Sequence, residues 1–128
     1  MKSFDLADTY VHLEDGPDAT AVTVGPDFWE QRGVGTPLHD GRLVMIFRFA
    51  RPEDWNQWEM HPAGDEIVFL LSGELDLVVE EDGRERAIPL RDRGACIVPR
   101  GVWHRAIIRA PGETLHVTRG AGTETRAI

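Results

Sequence analysis

The sequence predicts an all-β fold, a sandwich or barrel of about ten antiparallel strands, and three observations carry that prediction. Thirteen glycines and eight prolines fall between short apolar or alternating runs, which leaves helix little room and supplies tight turns. Those runs recur about every ten residues, the spacing of sandwiches and barrels. Asp82-Gly83 marks a hairpin, because that pair accepts the positive backbone angles of a two-residue turn between Glu74–Glu81 and Glu85–Leu90.

In order along the chain, the strands are Thr9–Glu14, Ala19–Val24, Arg42–Arg51, Trp55–His61, Glu66–Ser72, Glu74–Glu81, Glu85–Leu90, Ala95–Val98, Trp103–Arg109 and Thr114–Arg119. Each shows two-residue alternation or a short apolar run bounded by turn residues. Gly25–Asp40 shows neither that alternation nor a sustained helical period, so a long loop is expected there, with one helical turn at Phe28–Gln31. Ser72-Gly73 is expected to reverse the chain between two strands, making Glu66 to Leu90 a meander. No repeat or linker interrupts the chain, and a single domain over 1–128 is expected.

Composition excludes several classes of function. There are 22 acidic and 14 basic side chains, a formal charge of −8, and 41% of positions are hydrophobic. A chain of this size buries roughly two thirds of its unfolded surface, so it needs no staples. The charge disfavours sites that neutralise phosphates, so neither nucleic acid nor an anionic membrane is an expected partner. Cys96 is the only cysteine, which excludes an intrachain disulfide. Asp5 and Asp8 interrupt the apolar stretch a signal peptide requires. Leu43–Phe47 and Ile67–Leu71 fall far short of the ~20 residues that span a bilayer. A cytoplasmic location is expected.

Two islands carry chemistry. Glu59 and His61 are two apart on one strand and share a face, whereas Trp58 and Met60 point the other way. Glu66 shares its face with Val68 and Leu70, so its carboxylate enters an apolar interior and needs a partner there. In the second island, Gly94 to His104, the histidine alternates with Val102, Ala106 and Ile108 while Arg105 and Arg109 take the opposite face. His104 is therefore expected to point inward.

These islands resemble the paired motifs of the cupin superfamily. The first family motif is His-x-His, three or four residues, Glu, six residues, Gly; this chain has Glu59-Met60-His61, four residues, Glu66, six residues, Gly73. The second is a glycine, a short strand and Pro-x-Gly-x-x-His, matched by Gly94 and Pro99-Arg100-Gly101-Val102-Trp103-His104. The resemblance covers residues 57 to 108. This chain departs from the pattern at Glu59, which takes the place of the first histidine, at Glu53 in place of a leading glycine, and at Ile108 in place of a terminal asparagine.

The resemblance implies a double-stranded β-helix, a jelly roll with a divalent metal inside. It gives His61, Glu66 and His104 ligand roles and puts Glu59 at the fourth ligand position. Two imidazoles and two carboxylates balance a divalent charge, and the two-histidine, one-carboxylate subset suits Fe(II), with Mn, Ni and Zn as alternatives. A homodimer and a small-molecule substrate are also implied. Dioxygenase, isomerase, cyclase and lyase reactions all occur on this scaffold. Alternatives are a binding or sensing protein without catalysis and a metal-free carbohydrate isomerase relative. For Glu59 the alternatives are a general base beside the metal and an ion pair with an inward arginine such as Arg48.

The other candidates are read as structural. His12 and His39 have no ligand spacing and are expected at the surface, and His116, opposite Leu115 and Val117, is expected to face away from the core. Cys96 reads as a buried small hydrophobe. Trp58 and Trp103 lie on the faces opposite Glu59 and His104, whereas Trp55 shares the parity of Glu59 and is expected at the pocket mouth.

Overall fold

The computed structural model describes residues 1–28 and 40–128. The helical turn expected at Phe28–Gln31, most of the loop before Asp40 and His39 lie outside the described residues. Among those described, nine strands form: β1 (Thr9–Leu13), β2 (Ala19–Thr23), β3 (Arg42–Phe49), β4 (Gln57–Met60), β5 (Glu66–Glu81), β6 (Arg84–Leu90), β7 (Ala95–Val98), β8 (His104–Thr118) and β9 (Glu124–Ala127), with a 3-10 turn at Pro52–Asp54. Every pairing is antiparallel, in the order β2-β1-β3-β8-β4-β9, while β5 pairs with β6, β7 and β8.

The architecture is built on one long ribbon. β5 and β8 pair from Ile67↔Val117 to Val79↔His104. Where the sequence reads two strands in each, the chain runs on through a bulge, with register shifts between Leu70 and Leu75. Ser72-Gly73 is therefore no reversal, and the expected meander is corrected. Gly73 has φ +78°, and a Cβ on it would stand 2.5 Å from the Pro111 carbonyl oxygen; one on Gly112 would stand 2.1 Å from that of Ser72. Two backbones cross there closer than side chains permit, so the ribbon bends instead of turning. Asp82-Gly83, with φ of 53° and 74°, does reverse the chain between β5 and β6.

β9 has no counterpart among the expected strands. All four of its side chains are exposed, so no hydrophobic alternation marks it. It is held by backbone pairing to β4 and by Arg126, whose guanidinium lies 5.0 Å from the Trp58 ring centre and 4.6 Å from that of Trp103.

The inner faces bury one main cluster, including Val68, Leu70, Leu75, Leu77, Val79, Ala106 and Ile108, with Cys96 against its edge. Burial pushes the Cys96 thiol up, which keeps it inert. A second cluster joins Leu43 to Tyr10 and Phe28, whose rings meet edge to face at 5.1 Å. His12 is buried rather than at the surface: its Nε2 lies 2.6 Å from the Asp40 carbonyl, to which it donates. No helix among the described residues is long and apolar enough to cross a membrane.

Candidate metal centre

The two islands meet through backbone contacts. β4 places Glu59 opposite His104. Just beyond β4, the His61 carbonyl accepts the Gly101 N–H at 3.0 Å, and the Arg100 N–H donates to Asp65 Oδ1 at 2.9 Å. Gly101 has φ +80°, so the Pro-x-Gly turn needs its glycine to dock on the first motif. Glu66 opens β5 on the buried face of Val68 and Leu70.

Glu59, His61, Glu66 and His104 converge. His104 Nε2 is 3.1 Å from Glu66 Oε1, His61 Nε2 is 3.4 Å from Glu66 Oε2, and His61 Nε2 is 3.7 Å from Glu59 Oε2. One ligand atom from each of Glu59, His61 and His104 lies within 4.8 Å of the others. His61, Glu66 and His104 are buried, whereas the Glu59 side chain is 32% exposed at the open side.

Both imidazoles are held with Nε2 facing Glu66. His104 Nδ1 lies 3.0 Å from the Val102 carbonyl, which can only accept, so Nδ1 carries the proton. His61 Nδ1 lies 2.8 Å from Thr123 Oγ1, whose own hydrogen goes to the Gly120 carbonyl, so that nitrogen also donates. The two Nε2 lone pairs therefore face a carboxylate. His61 Nε2, His104 Nε2 and Glu66 Oε1 are buried without a hydrogen-bond partner. The remaining such atom among the described residues, Arg105 Nε, belongs to a guanidinium 5.1 Å from the Trp58 ring centre.

Lone pairs converge on a carboxylate only if a cation lies between them, either a proton or a metal ion. The residues fit an ion: two ligands about 2.1 Å from one centre at 90–110° stand roughly 3.0–3.4 Å apart, the separation of His104 Nε2 from Glu66 Oε1 and of His61 Nε2 from Glu66 Oε2. They also accommodate a proton. Burial works to lower His104, but Glu66 beside it holds the imidazole above its ordinary value. Burial works to raise the Glu66 carboxyl, but His104, His116 and His61 hold it well below the usual carboxylate range.

Two expectations are corrected here. His116 faces inward: its Nδ1 lies 3.6 Å from Glu66 Oε2 and its Nε2 lies 2.8 Å from Thr114 Oγ1. Even-numbered residues of β8 point inward at both ends, so Thr114, His116 and Thr118 are buried like His104. Thr118 Oγ1 donates to Glu66 Oε2 at 2.5 Å, an anchor that the sequence reading missed. Arg48 does not pair with Glu59; it lies outside, with Asp5 and Glu113.

A cavity of about 590 Å³ opens beside the cluster. Its lining combines the apolar Leu43, Met45, Phe47 and Trp55 with Glu59, His61, Glu66, His116 and Thr118, and Leu43 and Met45 lie directly across from Thr118 and His116 on one sheet face. Trp55, expected at the mouth, is buried; its edge meets Phe47 at 5.7 Å and its ring lies 5.9 Å from His116.

A double-stranded β-helix with an internal histidine and carboxylate cluster defines the class. The family model described as the cupin domain matches residues 45–118, and the chain belongs to that family. Among solved structures, a cupin-2 domain containing protein from Shewanella frigidimarina superposes with a TM-score of 0.50 at 16% identity, over 59% of this chain and 68% of that one. A protein from Neisseria meningitidis gives 0.50 at 18% identity, over 61% and 74%. Hydroxypropylphosphonic acid epoxidase from S. wedmorenis gives 0.48 at 20%, over 61% of this chain but only 42% of the enzyme. These likenesses concern the fold. No curated protein matches the chain.

Proposed function

We propose that this cupin holds a divalent metal on His61, Glu66, His104 and Glu59 and acts as an enzyme on a small organic molecule in the adjoining cavity. The observation that carries the proposal is the convergence of three buried, partnerless atoms, His61 Nε2, His104 Nε2 and Glu66 Oε1, with His104 Nε2 3.1 Å from that oxygen and His61 Nε2 3.4 Å from the other oxygen of the same carboxylate. Such a metal would supply Lewis-acid polarisation of a bound oxygen or, as Fe(II), oxygen activation.

The chain's own residues prepare the site. Val102 and Thr123 fix the two histidine tautomers, and Thr118 fixes the Glu66 rotamer, so ligand atoms are oriented before anything binds. Glu59 closes the set from the exposed side, where a substrate enters. Met45, Phe47 and Trp55 give the cavity an apolar lining beside these ligand atoms.

Elemental analysis of the purified full chain tests the proposal. One equivalent of a divalent metal is expected, and Glu59→Gln should bind it more weakly, because an amide lacks the charge that balances the ion. A folded protein that takes up no divalent metal would overturn the reading and favour proton-based chemistry at the Glu66–His104 pair. An unchanged dissociation constant in Glu59→Gln would leave a three-ligand site and make Glu59 the base.

A further inference from the structure

We infer that the cavity takes an uncharged molecule with a flat apolar end and an oxygen donor, and that Glu59 is the residue that sets this choice; the inference rests on the metal reading above. Glu59 stands where the motif resembled by this chain has a histidine. A divalent ion held by three imidazoles and one carboxylate keeps one net positive charge. Held by His61, His104, Glu59 and Glu66, it keeps none. The centre then has no excess charge with which to attract a carboxylate or phosphate group.

The rest of the described lining adds no fixed positive charge. Among the described residues that line it, Asp54, Glu59 and Glu66 are acidic and none is lysine or arginine. Several arginines of this arginine-rich chain are turned outward and occupied: Arg48 by Asp5 and Glu113, Arg51 by Glu53 and Asp54, Arg119 by Asp15, and Arg126 by Glu80. An anionic ligand would thus enter beside carboxylates in a poorly screened interior, an arrangement that rejects it.

The apolar lining selects shape. The Trp55 indole N–H is committed to the Gln57 carbonyl at 3.0 Å, so Trp55 offers only its ring surface to a ligand. Phe47 stands at 87° to that ring. Together with Met45 and Leu43, they form an apolar cleft that suits a planar group.

The test uses the full chain loaded with metal, titrated by calorimetry with benzyl alcohol and with benzoate, which share a ring and differ in charge. Metal content is measured on the same sample. Benzyl alcohol is expected to bind in the millimolar range of a fragment, at least about tenfold more tightly than benzoate. Glu59→His, which adds one positive charge to the site, should shift that ratio toward benzoate by about tenfold or more. Glu59→Gln, a smaller change in shape, should shift it in the same direction and serves if the histidine variant does not fold. Benzoate binding as tightly as the alcohol, no binding of the alcohol, or a ratio unmoved in the folded variant would overturn the inference. A chain that holds no metal would overturn the earlier reading instead. The preference is then measured on the metal-free chain, where the Glu59 carboxylate lacks the ion and should still exclude benzoate, and benzoate binding there would overturn this inference alone.

Discussion

Thr118→Val removes one hydroxyl from the centre and changes little else in volume. Thr118 is 5% exposed, and its Oγ1 donates to the Oε2 of Glu66, itself 3% exposed, at 2.5 Å. A hydrogen bond to a charged group contributes roughly 1.5–3 kcal/mol, and a buried acceptor left unpaired adds its desolvation cost, so a loss of about 2–3 kcal/mol is expected. For a domain of this size that lowers the melting temperature by roughly 8–12 °C. Thr114→Val is the control, because its hydroxyl pairs with His116 Nε2 at 2.8 Å, a contact without a carboxylate that contributes about 1 kcal/mol. Thermal and urea unfolding followed by circular dichroism in chelator measure both. Glu66 is held below its ordinary pKa, so its charged form stabilises the fold above the unfolded value and that contribution is lost as pH falls through the folded one. The Thr118→Val deficit should therefore shrink on acidification. If Thr118→Val costs no more than Thr114→Val, the account of Glu66 as an anchored anion is wrong.

Three further outcomes follow from the geometry. His61→Ala and His104→Ala should each abolish stoichiometric metal while the chain keeps its β-sheet dichroism, since the aliphatic cluster supplies the folding energy; full metal retained in either variant defeats its ligand assignment. The metal-free protein should lose stability as pH rises from the unfolded histidine range through the raised pKa of His104, whereas metal affinity should increase over the same interval as the ion replaces the proton. Melting temperatures followed across that interval with chelator and with metal should thus slope in opposite directions, and parallel slopes would contradict the shared site. Gly112→Ala should unfold the chain or cost several kcal/mol, because its Cβ would stand 2.1 Å from the Ser72 carbonyl; near-native stability on urea titration would show that the crossing can relax.

Much of the site was legible because alternation and motif spacing both bear on Glu59, His61, Glu66 and His104. The same alternation misled at His116. Between Thr114 and Thr118 the apolar set is Leu115 and Val117, which reads as the core side, yet the buried set is the polar one. Here the interior is a binding site, and the outer sheet face is apolar, with Val44, Val117 and Ile67 as direct cross-strand neighbours. The inward parity of His104, carried to the far end of β8, was the available signal. Ser72-Gly73 misled because a glycine with positive φ serves a bulge as readily as a turn, and only the Gly112 backbone facing it decides between them. β9 could not be read from alternation, since its exposed side chains carry no apolar period and its place is set by the edge of β4 and by Arg126 over two tryptophans.

The ribbon of β5 and β8 also makes the centre a clasp. A straight strand as long as β8 would hold its ends about 45 Å apart. Yet His104 at one end and Thr118 at the other reach the two oxygens of the same carboxylate. Glu66 thereby fastens a closed loop of chain, and neither end of β8 can fray without opening the cluster around that carboxylate. Local breathing and loss of the site become one event. Amide hydrogen exchange across β8 should therefore slow as a unit when the centre is occupied, from the His104 end through the glycine crossing to Thr118, rather than only beside the ligands.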